Sequence, residues 1–300
     1  MMLHEISPAK FHNEYFPYEA RKEDCFIGCR KDAVLLGESE GKIVVPTVGE
    51  AMEAFRQEDR DGEPVPELSE FRYLFSVDRA RFFTLTEREV SPFGSYDWKS
   101  LRYLRVTKPL PSAFAASVGQ QLFAWYRRTR FCGACGQKLE HAPSERMMHC
   151  PACGEMYFPQ ICPSVIVAVR DGERILLTKY APSHFPNSTH NPKATYALVA
   201  GYIEIGETPE DCVRREVMEE VGLRVKNVTA WKNQPWPFTS TLLFGFFCDL
   251  DGDDTITLQE DELSVAEWVN RADMQDRSAD ISLTSNMMEA FRLGKDPRSV

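Results

Sequence analysis

Two Cys-x-x-Cys pairs, Cys132/Cys135 and Cys150/Cys153, are separated by fourteen residues in the stretch CGACGQKLEHAPSERMMHCPACG. Each pair can place two thiolates on one metal ion, and two pairs complete a tetrahedron. Gly136 and Gly154 follow the pairs and suit a tight backbone turn. Sulfur then fills all four positions and leaves no open coordination site, so the spacing predicts a structural Zn²⁺ ribbon in mid-chain. His141 and His149 are alternative ligands within the same stretch, although the four cysteines suffice.

The chain has nine cysteines, so a disulfide framework has to be weighed. The N-terminal stretch MMLHEISPAKFHNEYF has no apolar segment of secretory type. Clustered cysteines without such a segment predict metal binding in a reducing, cytoplasmic setting. Cys25, Cys29, Cys162, Cys212 and Cys248 are scattered and read mostly as buried thiols, with Cys25/Cys29 as a lone second pair. No run of 18 apolar residues occurs, which predicts no membrane-spanning helix. A formal net charge of -10 argues against a general DNA binder and suits carboxylate metal ligands. The mildly basic YRRTR (Tyr126–Arg130) reads as a solvated helix end, with nucleic-acid contact by the ribbon as the sharper alternative.

Three hundred residues with 43 % hydrophobic content predict two domains and a small module between them. Residues 1–125 read as an α+β region with strands at Asp32–Gly37, Lys42–Pro46, Arg72–Asp78 and Ala80–Thr86, then a helix over Ser112–Arg130. Residues 126–160 hold the ribbon. Residues 161–300 begin with a hairpin at Pro163–Tyr180 around the turn RDGE. Extended runs follow at Ala194–Gly206, Val225–Trp231 and Thr241–Leu250, with a last helix at Ser285–Lys295. Strands on both sides of a helix predict a mixed sheet with helical cover. Asn233–Thr241, NQPWPFTST, reads as a stiff aromatic loop, because Pro235 and Pro237 each remove a backbone donor.

Between these runs lies GYIEIGETPEDCVRREVMEEVGL, Gly201–Leu223. Thr208 is a helix N-cap, Pro209 suits the first helical position, Asp211 completes a capping-box pattern, and Gly222 is a stop. Glu216, Glu219 and Glu220 are spaced i, i+3, i+4 and share one helical stripe, and Val213, Val217 and Val221 form an adjacent apolar stripe. Like charges at that spacing repel. A solvated acidic face tolerates this, whereas a hard divalent cation offsets it. Glu207 and Arg215 supply an ion pair beside the stripe.

Taken whole, the stretch fits G-x5-E-x7-R-E-U-x-E-E-x-G-U, with U aliphatic, on Gly201, Glu207, Arg215, Glu216, Val217, Glu219, Glu220, Gly222 and Leu223. It resembles the Nudix box. The resemblance implies a Nudix fold, a mixed sheet between helices, binding Mg²⁺ or Mn²⁺ at a nucleoside diphosphate linked to another moiety. It makes Glu216, Glu219 and Glu220 catalytic metal ligands, with Glu220 the most sensitive to substitution. It adds the Ala200 carbonyl and, within DELSVAEW, Glu262 as further ligands.

A four-cysteine ribbon before a Nudix domain resembles the NADH pyrophosphatase branch. That branch carries S-Q-P-W-P-F-P-x-S, matched here by Asn233, Gln234, Pro235, Trp236, Pro237, Phe238, Thr239, Ser240 and Thr241, with departures at Asn233, Thr239 and Thr241. The branch implies substrate contacts from Gln234–Thr241, Tyr202, Phe158 and Thr284. Phe158 stands where a tyrosine is usual, so its hydroxyl is lost or supplied by Tyr157. Thr284 stands where alanine is usual. The resemblance implies hydrolysis of NAD(H) to AMP and nicotinamide mononucleotide, removal of NAD caps from RNA, and a homodimer. It implies that Gln234 and Trp236 return toward the glutamate helix. The alternatives are another nucleoside diphosphate derivative, such as ADP-ribose or a diadenosine polyphosphate, and a non-catalytic Nudix-fold RNA-binding or sensor protein.

Overall fold

The computed structural model describes residues 1–57, 64–181, 196–259 and 261–297. The chain forms two compact units, one of Leu3–Gln160 with Pro237–Ser240 and one of Met1–Met2, Ile161–Trp236 and the described part of Thr241–Val300.

The first unit contains β1 (Phe11–His12), β2 (Cys25–Phe26), β3 (Ala33–Ser39), β4 (Lys42–Val44), α1 (Val48–Gln57), β5 (Arg72–Val77), β6 (Ala80–Thr84), β7 (Asp97–Ser100) and α2 (Leu110–Arg128). Strand order is β1-β5-β6-β2 in one sheet and β4-β3-β7 in another. The expected strands and the long helix are present. The additional helix α1 starts at a capping box, in which Thr47 N donates to Glu50 Oε2 at 2.7 Å and Glu50 N donates to Thr47 Oγ1 at 3.1 Å. The ribbon follows as three two-residue strands, β8 (Glu140–His141), β9 (Met148–His149) and β10 (Met156–Tyr157), in the order β10-β9-β8.

The second unit is built on β11 (Cys162–Asp171), β12 (Arg174–Tyr180), β13 (Val199–Tyr202), α3 (Pro209–Val221), β14 (Val225–Trp236), β15 (Thr241–Leu250), β16 (Leu263–Asn270) and α4 (Leu283–Arg292). The sheet order is β14-β15-β11-β12-β16, with β13 also paired to β11. Only the β11/β15 pair is parallel, so the sheet is mixed. Side chains alternate across the strands. Val165, Val167 and Val169 of β11 pack toward α3, whereas Ile166 and Ala168 pack toward α4. Each helix therefore covers one face. The expected run Ala194–Gly206 forms β13 only in its middle, at Val199–Tyr202, and Ala194 and Thr195 lie outside the described residues.

Element ends shift by a few residues from the sequence reading, and two of these differences bear on the site. NQPWPFTST is not a loop throughout. β14 runs on to Trp236, Pro237–Thr239 forms one turn of 3₁₀ helix, and β15 starts at Thr241. A strand accepts Pro235 here because β14 is an edge strand, with one side free of ladder bonds. Helix α4 starts at Leu283 rather than Ser285, because Ser282 caps it by accepting from Ser285 N at 3.2 Å.

Candidate active site and ribbon

Helix α3 is placed by its ends. Thr208 Oγ1 accepts from Asp211 N at 3.2 Å, and Gly222 closes the helix at φ 71°. Val213, Val217 and Val221 are fully buried against the sheet. That contact orients the adjacent stripe, which places Glu216 at 9 % and Glu220 at 2 % exposure while Glu219 stays in solvent.

Arg215 ties the stripe to the preceding loop. Its Nε and Nη2 donate to the two oxygens of Glu207, both at 2.8 Å, a bidentate pair. Nη2 also donates to Tyr202 O at 3.0 Å, while Nη1 reaches Glu216 at 2.8 Å and Glu219 at 3.0 Å. The guanidinium holds the Glu207 carboxyl down to about 2. Burial raises the Glu216 carboxyl, and Arg215 opposes the rise.

Glu220 is held differently. Burial pushes its carboxyl up to about 8, the Ala200 N–H opposes the rise, and Glu216, Glu262 and Glu219 add to it. Ala200 N is 3.5 Å from Oε1, and Oε2 is buried with no hydrogen-bond partner. An unmet buried carboxylate oxygen costs about 1–3 kcal/mol or more. Its donor set is oxygen only, so a hard divalent cation fits. Among the described residues, only the four cysteines have ligand atoms all within 4.8 Å of one another. Arg215 spans two of the glutamates of the stripe, Glu216 and Glu219.

Gly201 makes the close approach possible. Ser164 Oγ fixes its carbonyl at 2.7 Å, and a Cβ on Gly201 would lie 1.9 Å from the Glu216 carboxyl. Glu262 is half-buried where β16 begins, and Ala181 N donates to its carbonyl at 2.7 Å. Tyr180 is the side chain the motif reading missed. Burial raises its phenol, and the neighbouring Glu220, Glu262 and Glu216 raise it further. Period-two alternation from Leu176 on β12 places it on the α3 face.

The aromatic motif lies elsewhere. Gln234 is fully buried; its Nε2 donates to Ile281 O at 2.9 Å and its Oε1 accepts from Leu283 N at 2.6 Å. Both ends of the amide thus hold the start of α4. Trp236 is half-buried against the α4-side cluster with Ile166, Leu243 and Met287. Gln234 and Trp236 therefore do not return toward the glutamate helix within one chain, because they pack on the opposite face of the sheet. Pro237 is buried, Phe238 half-buried and Thr239 exposed; Ser240 has φ 58°, and Thr241 and Thr284 are buried and half-buried. Tyr202 and Phe158 expose their rings, at 54 % and 55 %.

In the ribbon, Cys132 and Cys153 Sγ lie 3.5 Å apart, as do Cys135 and Cys150. Gly136 and Gly154 take φ 76° and 80°, and their N–H groups donate to Cys132 O and Cys150 O. Four convergent thiols with no other donor fit structural zinc. His141 is not a ligand, since Nε2 meets the Tyr126 hydroxyl at 3.1 Å and Nδ1 meets Ala142 O at 2.6 Å. Tyr157 does not supply a free phenol, since its oxygen accepts from Gly133 N at 2.9 Å and meets Cys132 Sγ at 3.4 Å.

A mixed sheet between two helices, one of them loaded with carboxylates behind a glycine-tight strand, is the Nudix architecture. The NUDIX domain model matches residues 161–289, and the model of the NADH pyrophosphatase zinc ribbon domain matches residues 127–158. A Pseudomonas fluorescens protein named NAD-capped RNA hydrolase NudC is 33 % identical over 73 % of this chain and 77 % of its own length. Proteins of the same name from Chromobacterium violaceum and Actinobacillus succinogenes are 37 % and 40 % identical, each over 59 % of this chain. Those two alignments cover 63 % and 66 % of the relatives, just under two thirds. The chain belongs to the Nudix family and carries a zinc ribbon of the NADH pyrophosphatase type. Among the described residues, no helix is long and apolar enough to cross a membrane.

Proposed function

We propose that the chain hydrolyses the diphosphate of NAD(H), giving AMP and nicotinamide mononucleotide, and removes NAD caps from RNA. The buried, partnerless Oε2 of Glu220 inside the acidic stripe carries the reading. The ribbon match and the names of the relatives supply the substrate class.

Glu216, Glu219, Glu220 and Glu262, with the Ala200 carbonyl, would hold the cations, Mg²⁺ or Mn²⁺, which would supply polarisation of a phosphoryl oxygen and a lowered pKa for water. Arg215 fixes Glu207, Glu216 and Glu219 in register before any ligand arrives, which reduces the cost of ordering them. Tyr202, Phe158, Thr284 and the 234–241 segment form the substrate contacts, with Gln234 acting by positioning α4. The acidic helix and Trp236 lie on opposite faces of one sheet, which supports a homodimer whose site draws on both copies. The working division is 1–125, 126–160 and 161–300, in a cytoplasmic protein.

The test is parallel incubation of the protein and Glu220→Gln with Mg²⁺ or Mn²⁺ and NADH, NAD⁺, ADP-ribose or NAD-capped RNA. AMP from NADH and 5′-monophosphate ends from capped RNA are expected, and both should vanish in the variant. Turnover of ADP-ribose alone, or an active Glu220→Gln, refutes the reading.

A further inference from the structure

The four sulfurs of the ribbon are not equivalent. Cys132 and Cys150 are buried, whereas Cys135 and Cys153 reach solvent. Each buried sulfur opens a Cys-x-x-Cys-Gly turn. The backbone N–H groups of Ala134 and Cys135 turn toward Cys132 Sγ, and those of Ala152 and Cys153 turn toward Cys150 Sγ. In their backbone donors the two knuckles are copies of one another.

Tyr157 on β10 breaks that symmetry. Its hydroxyl oxygen accepts from Gly133 N at 2.9 Å and lies 3.4 Å from Cys132 Sγ. The phenol has one proton to give, and a thiolate that ligates a metal can only accept, so the O–H donates to sulfur. Among the described residues, no hydroxyl meets Cys150 Sγ. Strand pairing carries the phenol there. Tyr157 lies opposite Met148 and Met156 opposite His149, the residue before Cys150. β10 is thus joined to the strand of the second knuckle by its backbone and to the first knuckle by one hydroxyl.

Four thiolates outweigh the charge of one Zn²⁺, and hydrogen-bond donors to the sulfurs offset the excess. Donors behind metal ligands also fix the orientation of those ligands.

We infer that Tyr157 is a positioning residue for the structural zinc, whose O–H holds the Cys132 thiolate on the metal and slows loss of the ion from the first knuckle. It acts through Cys132 and not on the metal. The inference rests on the ribbon alone and is independent of the substrate.

The experiment uses the zinc-loaded full chain, Tyr157→Phe, and Met156→Leu on the same strand as control. In competition with a colorimetric chelator, Tyr157→Phe is expected to bind zinc at least about tenfold more weakly, with the control near wild type. With Co²⁺ in place of zinc, the sulfur-to-metal charge-transfer band of Tyr157→Phe should move to lower energy, because the thiolate has lost a donor. Alkylation followed by mass spectrometry should show Cys132 gaining reactivity relative to Cys150. Unchanged zinc affinity overturns the inference. So does a weaker affinity with the cobalt band and the Cys132/Cys150 ratio unmoved, which would make the hydroxyl a packing group only. If Tyr157→Phe does not fold, wild type still decides. Its Cys132 should be alkylated more slowly than Cys150, and the reverse order refutes the inference.

Discussion

Replacing Glu220 by Gln should stabilise the protein when no Mg²⁺ or Mn²⁺ is present, although it removes activity. The folded state holds a proton on Glu220 up to about 8, against an ordinary 4.5 for the unfolded chain. A raised carboxyl contributes its full share below the unfolded value and loses it as pH rises through the folded one. At 1.36 kcal/mol per pKa unit, keeping this buried carboxyl protonated costs about 4 kcal/mol at pH 7.5 and about 1 kcal/mol at pH 5. Gln is neutral at both pH values and escapes most of that cost. At about 2–4 °C per kcal/mol, a net gain of about 3 kcal/mol raises the Tm of the Nudix unit by about 6–12 °C at pH 7.5. Calorimetry at both pH values checks this, without strong chelators so that the ribbon keeps its zinc. Added Mg²⁺ should raise the Tm of wild type and leave the variant nearly unchanged. A variant less stable than wild type at pH 7.5, or an offset independent of pH, refutes the picture of an uncompensated carboxylate.

Gly201→Ala should abolish turnover with little change in far-UV circular dichroism, because the new Cβ displaces the Glu216 carboxyl. Gln234→Ala strands the buried Ile281 carbonyl and Leu283 N–H, so about 2–5 kcal/mol of stability should be lost in urea melts. Arg215→Lys cannot reproduce the fork onto Glu207, and kcat should fall at least about tenfold with the fold retained, as read by kinetics and dichroism. Cys150→Ser should release zinc, measurable by a colorimetric chelator, and open the ribbon to protease.

Local signals explain what the sequence made legible. The four-cysteine spacing and the capped, glutamate-striped helix each sit within one short segment, and both survive into the structure. Helix α1 was equally local, since Thr47–Glu50 is a capping box, but it precedes only a short periodic run. The start of α4 is capped locally by Ser282, but what anchors that start to the sheet was not local, because it is an amide 49 residues upstream. The face on which Trp236 packs was hidden for a similar reason. It follows from the parity of β14 against β15, and the register shifts between Lys226/Thr229 and Ala230/Asn233 break any simple alternation. Tyr180 could have been found by counting in twos from Leu176, since strand parity needs no partner.

The prolines of β14 also affect how the protein behaves in a crowd. An exposed edge of unpaired amides invites a strand from another molecule. Pro235 offers no N–H to such a strand, and Pro237 ends the strand one residue past Trp236. The bulged register twists the same rim away from a flat pairing surface. A segment proposed to contact the substrate thus also protects the sheet from edge-to-edge aggregation, and replacing Pro235 would put colloidal stability at risk.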